Sequence, residues 1–239
     1  MDSLYIVMPA YNEEANIANV IREWYPLLEG KAESSRLVVA DGGSTDNTLP
    51  ILCELQRKYP QLVVLSRPGT DHGTKLLVLY DYAVRNNIDY IFQTDSDGQT
   101  NPGEFDQFWK KRKKYDAVLG NRSDRKDGKS RVFVENVLRF ILWICFGVKI
   151  PDANAPFRLM KTETVKKYIY RLPKNFNLPN AMLCVYFACY QDHVTYRYVS
   201  FAPRQGGKNY INIKRIIGIG WKSLGNFTRL RLQLKKQKS

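Results

Sequence analysis

From Leu4 to about Leu119 short β-rich apolar runs alternate with amphipathic segments of helical length. The runs LYIVMP (4–9), RLVVA (36–40), LVVLS (62–66), DYIFQT (89–94) and DAVLG (116–120) have the length and the β-branched or aromatic content of strands. Segments near 13–29, 46–58, 73–86 and 102–114 predict helices, with Asp46 as an N-cap and Pro102 at a first helical position. This βαβα order predicts an α/β fold, a mostly parallel sheet with helices on both faces. In such sheets ligands bind beyond the carboxyl ends of the strands.

That rule puts the polar stretches PAYNEE (9–14), ADGGSTDNT (40–48), RPGTDHGTK (67–75) and DSDGQ (95–99) on one edge, because each follows a strand. Asp95 and Asp97 are two residues apart, so at the end of an extended strand both point to one side. Adjacent carboxylates repel unless a cation lies between them, and Mg²⁺ or Mn²⁺ suits an all-oxygen set that Gln99 would extend. The alternative is that the two aspartates only cap turns ahead of the Pro102 helix. A calcium EF-hand is excluded, since Gly98 falls at loop position 4 and Asp106 at position 12. In the first loop, Asp41, a glycine pair and the Ser44–Asp46 helix start suit a nucleotide base and ribose. P-loop and dinucleotide-binding glycine signatures are missing, which removes the usual marks of ATP hydrolysis and hydride transfer.

Beyond Arg131 the pattern changes. VLRFILWICFGV (137–148) is apolar except for Arg139 but shorter than the about 20 residues needed to span a bilayer, so it predicts either a core helix or an interfacial one. A strand at FRLM (157–160) and a helix near 179–191 follow. In the tail, Ile213, Ile217, Leu224, Phe227, Leu230 and Leu234 recur on one helical face, with Lys214, Lys222 and Arg229 between them. Charge supports the division. The chain of 239 residues carries a net +14, yet its first 192 residues hold only +3, because no acidic residue follows Asp192. Phosphates, an anionic membrane surface or nucleic acid are the partners such a tail suggests. No nucleic-acid motif accompanies it, and an acidic edge would repel a nucleic-acid backbone, so nucleic acid is not expected. The four cysteines show no C-x-x-C or metal-ligand spacing and read as reduced core thiols. His72 and His193 are the only histidines, too few for a histidine-based zinc cluster, and His72 reads as a loop residue. Met1–Pro9 has no signal-peptide pattern, so a cytoplasmic protein peripheral to the inner face of a membrane is expected.

MPAYNEE, ADGGSTDNT, QTDSDGQ, GNR, PDANAPFRLM and FAPRQGGKNY occur in the order and approximate spacing of the family 2 glycosyltransferases of the GT-A fold. The chain most resembles their dolichol-phosphate mannose synthases and bacterial polyprenyl-phosphate glycosyltransferases, over about residues 3–212. The resemblance implies a Rossmann-like catalytic domain over 1–205 and a basic amphipathic tail over 206–239. It implies a nucleotide-sugar site at Pro9, Tyr11, Glu13, Asp41 and Asp95, and metal ligation at Asp95, Asp97 and Gln99. Asp97, Arg122 and Arg131 take catalytic positions, Arg131, Arg204 and Lys208 lie near the acceptor phosphate, and Asp152 and Arg158 match a "D…FR" segment. Three departures stand out: Gly42 replaces a second aspartate, Ala155-Pro156 replaces small glycine-rich residues, and no transmembrane helices follow the catalytic part, which leaves the amphipathic segments as the expected anchor.

The implied reaction is inverting transfer of a sugar from a UDP- or GDP-linked donor to polyprenyl phosphate. A hydroxyl acceptor needs a general base, and in hydroxyl-acceptor relatives a carboxylate often precedes the late helix. Residues 164–191 contain no Asp or Glu, which favours an acceptor that is already an anion. A hydroxyl of a lipid-linked glycan remains the alternative acceptor.

Overall fold

All five strands expected in the first half form: β1 (Leu4–Ala10), β2 (Arg36–Asp41), β3 (Leu62–Ser66), β4 (Tyr90–Gln93) and β5 (Ala117–Asn121). The computed structural model describes residues 1–122, 129–203, 225 and 227–232, with 129–132 as backbone only. Two further strands, β6 (Arg158–Lys161) and β7 (Val194–Tyr198), complete a seven-stranded sheet of order β3-β2-β1-β4-β6-β5-β7. β6 corresponds to the predicted FRLM strand; β7 lies in a stretch for which the sequence pattern predicted no element. The parallel pairs are β1–β2, β1–β4, β2–β3 and β5–β7, whereas β6 runs antiparallel to both β4 and β5.

The helices are α1 (Ile17–Trp24), α2 (Thr48–Lys58), α3 (His72–Arg85), α4 (Phe105–Trp109), α5 (Lys129–Phe146), α6 (Thr162–Ile169) and α7 (Pro179–Cys189). Alternate residues of β1 serve opposite cores: Tyr5 and Val7 pack with α3, α6 and α7, while Leu4, Ile6 and Met8 pack with α1, α2 and α4. Burial on both faces explains why the strands read as continuous apolar runs. Under the end of β4, the Phe92 ring packs on Phe157 (4.8 Å between centroids), Phe105 (5.0 Å) and Trp24 (5.5 Å), a rigid floor for the loop that follows.

Boundaries shift where loop chemistry competes with helix. α1 begins four residues later than the periodicity suggests, because Asn12 is left-handed (φ 55°) and the Glu13 carbonyl accepts from Asn16 N and Ile17 N. The last segment shortens to α4, preceded by a 3₁₀ turn at Pro102–Glu104. α5 starts well ahead of its apolar run and shows two faces. Leu142 is buried and Leu138 and Ile141 pack on the core, whereas Phe133, Val137, Phe140, Trp143 and Ile144 are exposed. No helix among the described residues is long and apolar enough to cross a membrane. Of the tail's apolar stripe, Phe227 and Leu230 are buried, with Phe227 against the rings of Phe146 and Phe176; the other four positions lie outside the described residues.

Gly73, in the first turn of α3, allows this helix to meet the chain before α7. A Cβ there would lie 2.4 Å from Phe176 O and 2.5 Å from Asn177 O, and backbone carbonyls on both sides leave nothing to give way. Gly73→Ala is expected to lower stability by at least about 2 kcal/mol, read as a fall in denaturation midpoint at unchanged m-value.

Candidate active site

The strand order reverses direction at β1, which has β2 on one side and β4 on the other, so a crevice opens at the carboxyl ends of these strands. Loop 10–16 is fastened to loop 41–48. Asn12 N donates to Ser44 Oγ (2.9 Å), Thr45 N to Asn12 Oδ1 (2.8 Å), Glu13 N to Thr48 Oγ1 (2.7 Å) and Asn47 N to Glu14 Oε2 (3.0 Å). The N-cap of α2 is Asn47, not Asp46 as its position predicts; Asp46, one residue earlier, accepts from Thr48 N (3.0 Å) and so still holds the first turn. Asp41 is fully buried and accepts from Gly43 N, Ser44 N and Ser44 Oγ, so its carboxylate also shapes its own loop. Gly43 is left-handed (φ 85°), and a Cβ there would meet Pro68 Cα at 2.8 Å.

On the other side of β1, Thr94 N donates to Val7 O and Ser96 Oγ to Pro9 O (2.8 Å), which sets the DSDGQ loop beside the end of β1. Asp95 Oδ1 is enclosed and has no hydrogen-bond partner among the described residues. Burial lifts the Asp95 carboxyl to about 6; the positive charge of Arg122 opposes the rise and the negative charge of Glu13 adds to it. Gly98 turns the chain through a left-handed conformation (φ 72°), and Gln99 N donates to Asp97 Oδ1 (3.2 Å). Gln99 is buried and fastened to the segment after β7 in both directions: its Nε2 donates to Ala202 O (2.7 Å) and Ala202 N to Gln99 O (2.9 Å).

An orphaned, desolvated carboxylate oxygen that also feels the negative charge of Glu13 is the environment a hard cation relieves. No cluster of three His, Cys, Asp or Glu side chains with metal-holding geometry occurs among the described residues. A cation held by one or two carboxylates and completed by substrate phosphates needs no such cluster. Asp95, Asp97 and Gln99 therefore fit Mg²⁺ or Mn²⁺ as a half-site.

The structure brings Pro9, Tyr11, Glu13, Asp41, Asp95, Asp97 and Gln99 to this edge. Tyr11 is partly exposed, and Glu13 is buried with Oε2 accepting from Asn16 Nδ2 (2.9 Å). Arg122 has a further engagement. Its guanidinium forms a two-pronged pair with Asp152, Nε to Oδ2 (2.7 Å) and Nη2 to Oδ1 (2.8 Å), with Glu135 at 3.9 Å and the Phe201 ring beneath it (5.2 Å). Arg158 is fully buried and donates to the backbone carbonyls of Ala155 (Nε, 3.0 Å; Nη2, 2.8 Å) and Asn180 (Nη1, 3.2 Å), clamping the 153–155 loop to α7. Behind it the side chains of Tyr80, Gln93 and Asn180 form a buried polar network. Arg131 lies in α5, where only backbone is described, and Arg204 and Lys208 lie outside the described residues.

Sequence reasoning missed Lys75. It is buried in the first turn of α3, where burial pushes its ammonium down to about 8 against the opposing pull of Asp41, Asp95, Asp71 and Glu13. His72 opens α3 instead of sitting in a loop, within electrostatic reach of Lys75, Asp71 and Asp97.

A mixed sheet with an acidic crevice at the β1/β4 switch point is the architecture of GT-A glycosyltransferases. Glucosyl-3-phosphoglycerate synthase from Mycobacterium tuberculosis in complex with uridine diphosphate superposes with a TM-score of 0.67 at 18% identity, covering 96% of this chain and 80% of that one. The same protein is also known in complex with Mn²⁺, UDP-glucose and phosphoglyceric acid (TM-score 0.67, 17% identity, 96% and 79% covered). Glycosyl transferase family 2 matches residues 5–169, and the chain belongs to that family. A dolichyl-phosphate beta-glucosyltransferase of Trichomonas vaginalis is 26% identical over 177 residues, 67% of this chain and 52% of that protein. An undecaprenyl-phosphate 4-deoxy-4-formamido-L-arabinose transferase of Edwardsiella ictaluri is 21% identical over 217 residues, 90% of this chain and 64% of that protein. The match thus spans between half and two thirds of the length of these relatives.

Proposed function

We propose that the chain is a metal-dependent, inverting glycosyltransferase that moves a sugar from a UDP- or GDP-linked donor to a polyprenyl phosphate. The observation that carries the donor half is the unpartnered, buried Oδ1 of Asp95 beside Asp97 at the switch point. A bound Mg²⁺ or Mn²⁺, held by Asp95, Asp97 and Gln99, would offset the charge that develops on the departing diphosphate. Tyr11 offers a ring face to the base, and Asp41 and Glu13 lie at the ribose end. The Gln99–Ala202 pairing holds the loop still, and Arg122, through Asp152, holds the end of β5 against the chain before β6.

The names of the relatives support a polyprenyl-phosphate acceptor, as does the lack of Asp or Glu between 164 and 191. In the step we propose, an acceptor phosphate oxygen bonds to the anomeric carbon as that carbon's bond to the donor diphosphate breaks. The electron pair leaves with the nucleoside diphosphate and the configuration inverts. Arg131, Arg204 and Lys208 are assigned to the acceptor phosphate. Incubation with pooled nucleotide sugars tests the donor half: nucleoside diphosphate is released with Mn²⁺ or Mg²⁺ and not with chelator, whereas metal-independent release contradicts it.

The exposed apolar face of α5 and the basic residues of 206–239 fit a peripheral protein on an anionic bilayer at the cytoplasmic side. Flotation with vesicles containing phosphatidylglycerol is expected to recover the protein, and Phe140→Glu with Trp143→Glu to reduce recovery at least about ten-fold. Recovery unchanged by both substitutions contradicts the membrane face.

A further inference from the structure

The longest unbroken run of positive charge in the chain is Lys110, Lys111, Arg112, Lys113 and Lys114, directly after α4. The backbone winds through successive turns there, with Lys111 N donating to Phe108 O (2.9 Å), Arg112 N to Trp109 O (3.1 Å) and Lys114 N to Lys111 O (3.0 Å). The cations are therefore gathered rather than strung out. Lys31, from the chain before β2, joins them: its ammonium lies 5.0 Å from the centroid of the Trp109 ring, and the Arg112 guanidinium 4.3 Å from the same ring. Arg112 is paired with Asp2 (2.6 Å), whereas Lys31, Lys110, Lys111, Lys113 and Lys114 have no ion pair among the described residues. Burial pushes the Lys31 ammonium down; Asp106 opposes the fall and the positive charge of Arg112 adds to it, so like charges already act on one another here. A helix C-terminus favours a cation in its last turn, which accounts for one or two of these charges and not for the whole group.

The patch lies away from everything the transfer reaction uses. It precedes β5, and Arg112 is tied to Asp2 ahead of β1, so it stands at the amino ends of the strands, about 20 Å from the crevice along the seven residues of β1. It is also across the sheet from the elements proposed above to meet a bilayer. Phe105, Phe108 and Trp109 of α4 pack in the core with α1 and α2, while Leu142 of α5 and Phe227 and Leu230 of the tail pack with α3, α6 and α7. A flat bilayer against α5 and the tail leaves Lys110–Lys114 turned away from it.

We propose that this patch is a docking surface for an acidic segment of a partner protein, a run of Asp or Glu side chains lying along Lys110, Lys113 and Lys114. These three lysines are exposed, and ammonium groups on flexible stems suit a row of carboxylates, which demands no fixed geometry. A single phosphate held tightly would need converging, buried donors. The rings beside the lysines are not free to stack on nucleic-acid bases: Trp109 lies against Phe105 with two cations over it, and Tyr115 lies against His193 (4.6 Å) with Lys111 and Lys114 over it (6.0 and 5.6 Å). Charge complementarity thus selects a protein partner over a single-stranded nucleic acid.

The test is fluorescence anisotropy of a labelled oligo-glutamate peptide titrated with the full chain and with Lys110→Glu plus Lys113→Glu. The intact protein is expected to bind the peptide, more weakly as salt rises, and the double variant to bind at least about ten-fold less tightly. Metal-dependent release of nucleoside diphosphate and recovery on phosphatidylglycerol vesicles are expected to stay unchanged in that variant, which separates the patch from the crevice and from the membrane face. Should the variant fail to fold, Lys110→Gln plus Lys113→Gln is expected to weaken binding in the same direction, at least about three-fold. No peptide binding by the intact protein overturns the proposal. Equal affinity before and after the substitutions does so too, since binding then belongs to the basic tail. Loss of vesicle recovery with peptide binding retained, or tighter binding of a single-stranded oligonucleotide that the same substitutions abolish, overturns the choice of partner. The peptide measurement is independent of sugar transfer, so its failure is distinct from failure of the function proposed above.

Discussion

Asp97→Ala is expected to lower kcat/KM for metal-dependent sugar transfer at least about a hundred-fold, while the denaturation midpoint stays within a few degrees of the original. The effect on transfer is the larger because Asp97 stands at the crevice edge beside the enclosed Asp95, and the hydrogen bond that its Oδ1 accepts from Gln99 N is long (3.2 Å). Loss of that turn contact is worth about 1 kcal/mol or less. Loss of a ligand from a half-site that supplies only a few oxygens removes a large share of the charge stabilisation available to a leaving diphosphate. If the aspartates only capped the turn before Pro102, the mutant would keep its activity and lose a little stability. Steady-state kinetics with Mn²⁺, alongside a thermal melt, decide between the two. Asp95→Asn is a useful companion, since it removes charge from a carboxyl whose Oδ1 is enclosed without a partner, and it is expected to lose activity without losing stability.

Arg122→Ala behaves in the opposite way. Both side chains of the Arg122–Asp152 pair are nearly inaccessible, at 6% and 4% exposure. Removing the guanidinium takes a two-pronged partner from a buried carboxylate, with Glu135 close by, and is expected to cost about 3–5 kcal/mol. In a chain of this size that lowers the midpoint by about 10 °C. Arg122→Met combined with Asp152→Asn is expected to recover at least half of the loss, because no uncompensated charge then remains on Asp152. A guanidinium serving mainly as a free cation for donor phosphate would give a different result, lost activity at unchanged stability. Melting the single and double mutants separates a positioning role from a direct one.

The first half of the fold was legible because β1, β2 and β4 are buried on both faces and each active-edge loop follows a strand directly. Asp95 and Asp97 could be singled out from their spacing, and Asp41 from the glycine pair and helix start that follow it. The second half was harder for identifiable reasons. β6 has four residues and inserts antiparallel between β4 and β5, a placement that only long-range pairing determines. β7 is a half-buried edge strand whose TYRY alternation reads as polar. α6 is a two-turn helix whose Thr162, Val165 and Tyr168 face the core, a stripe too short to stand out. Lys75 escaped notice because lysine is rarely buried, and its environment comes from the ends of β1 and β2, more than thirty residues upstream. That Arg122 pairs with Asp152 was not legible because the two are thirty residues apart and nothing local marks the pair.

The most direct test of the account is mass-spectrometric identification of the product when the full chain, Mn²⁺ or Mg²⁺ and pooled UDP- and GDP-sugars meet undecaprenyl phosphate, with lipid-linked glycans as competing hydroxyl acceptors. A glycosyl-phosphate lipid formed by the intact protein and not by Asp97→Ala is the predicted result. Sugar found only on hydroxyl acceptors, with the lipid phosphate unmodified, would contradict it.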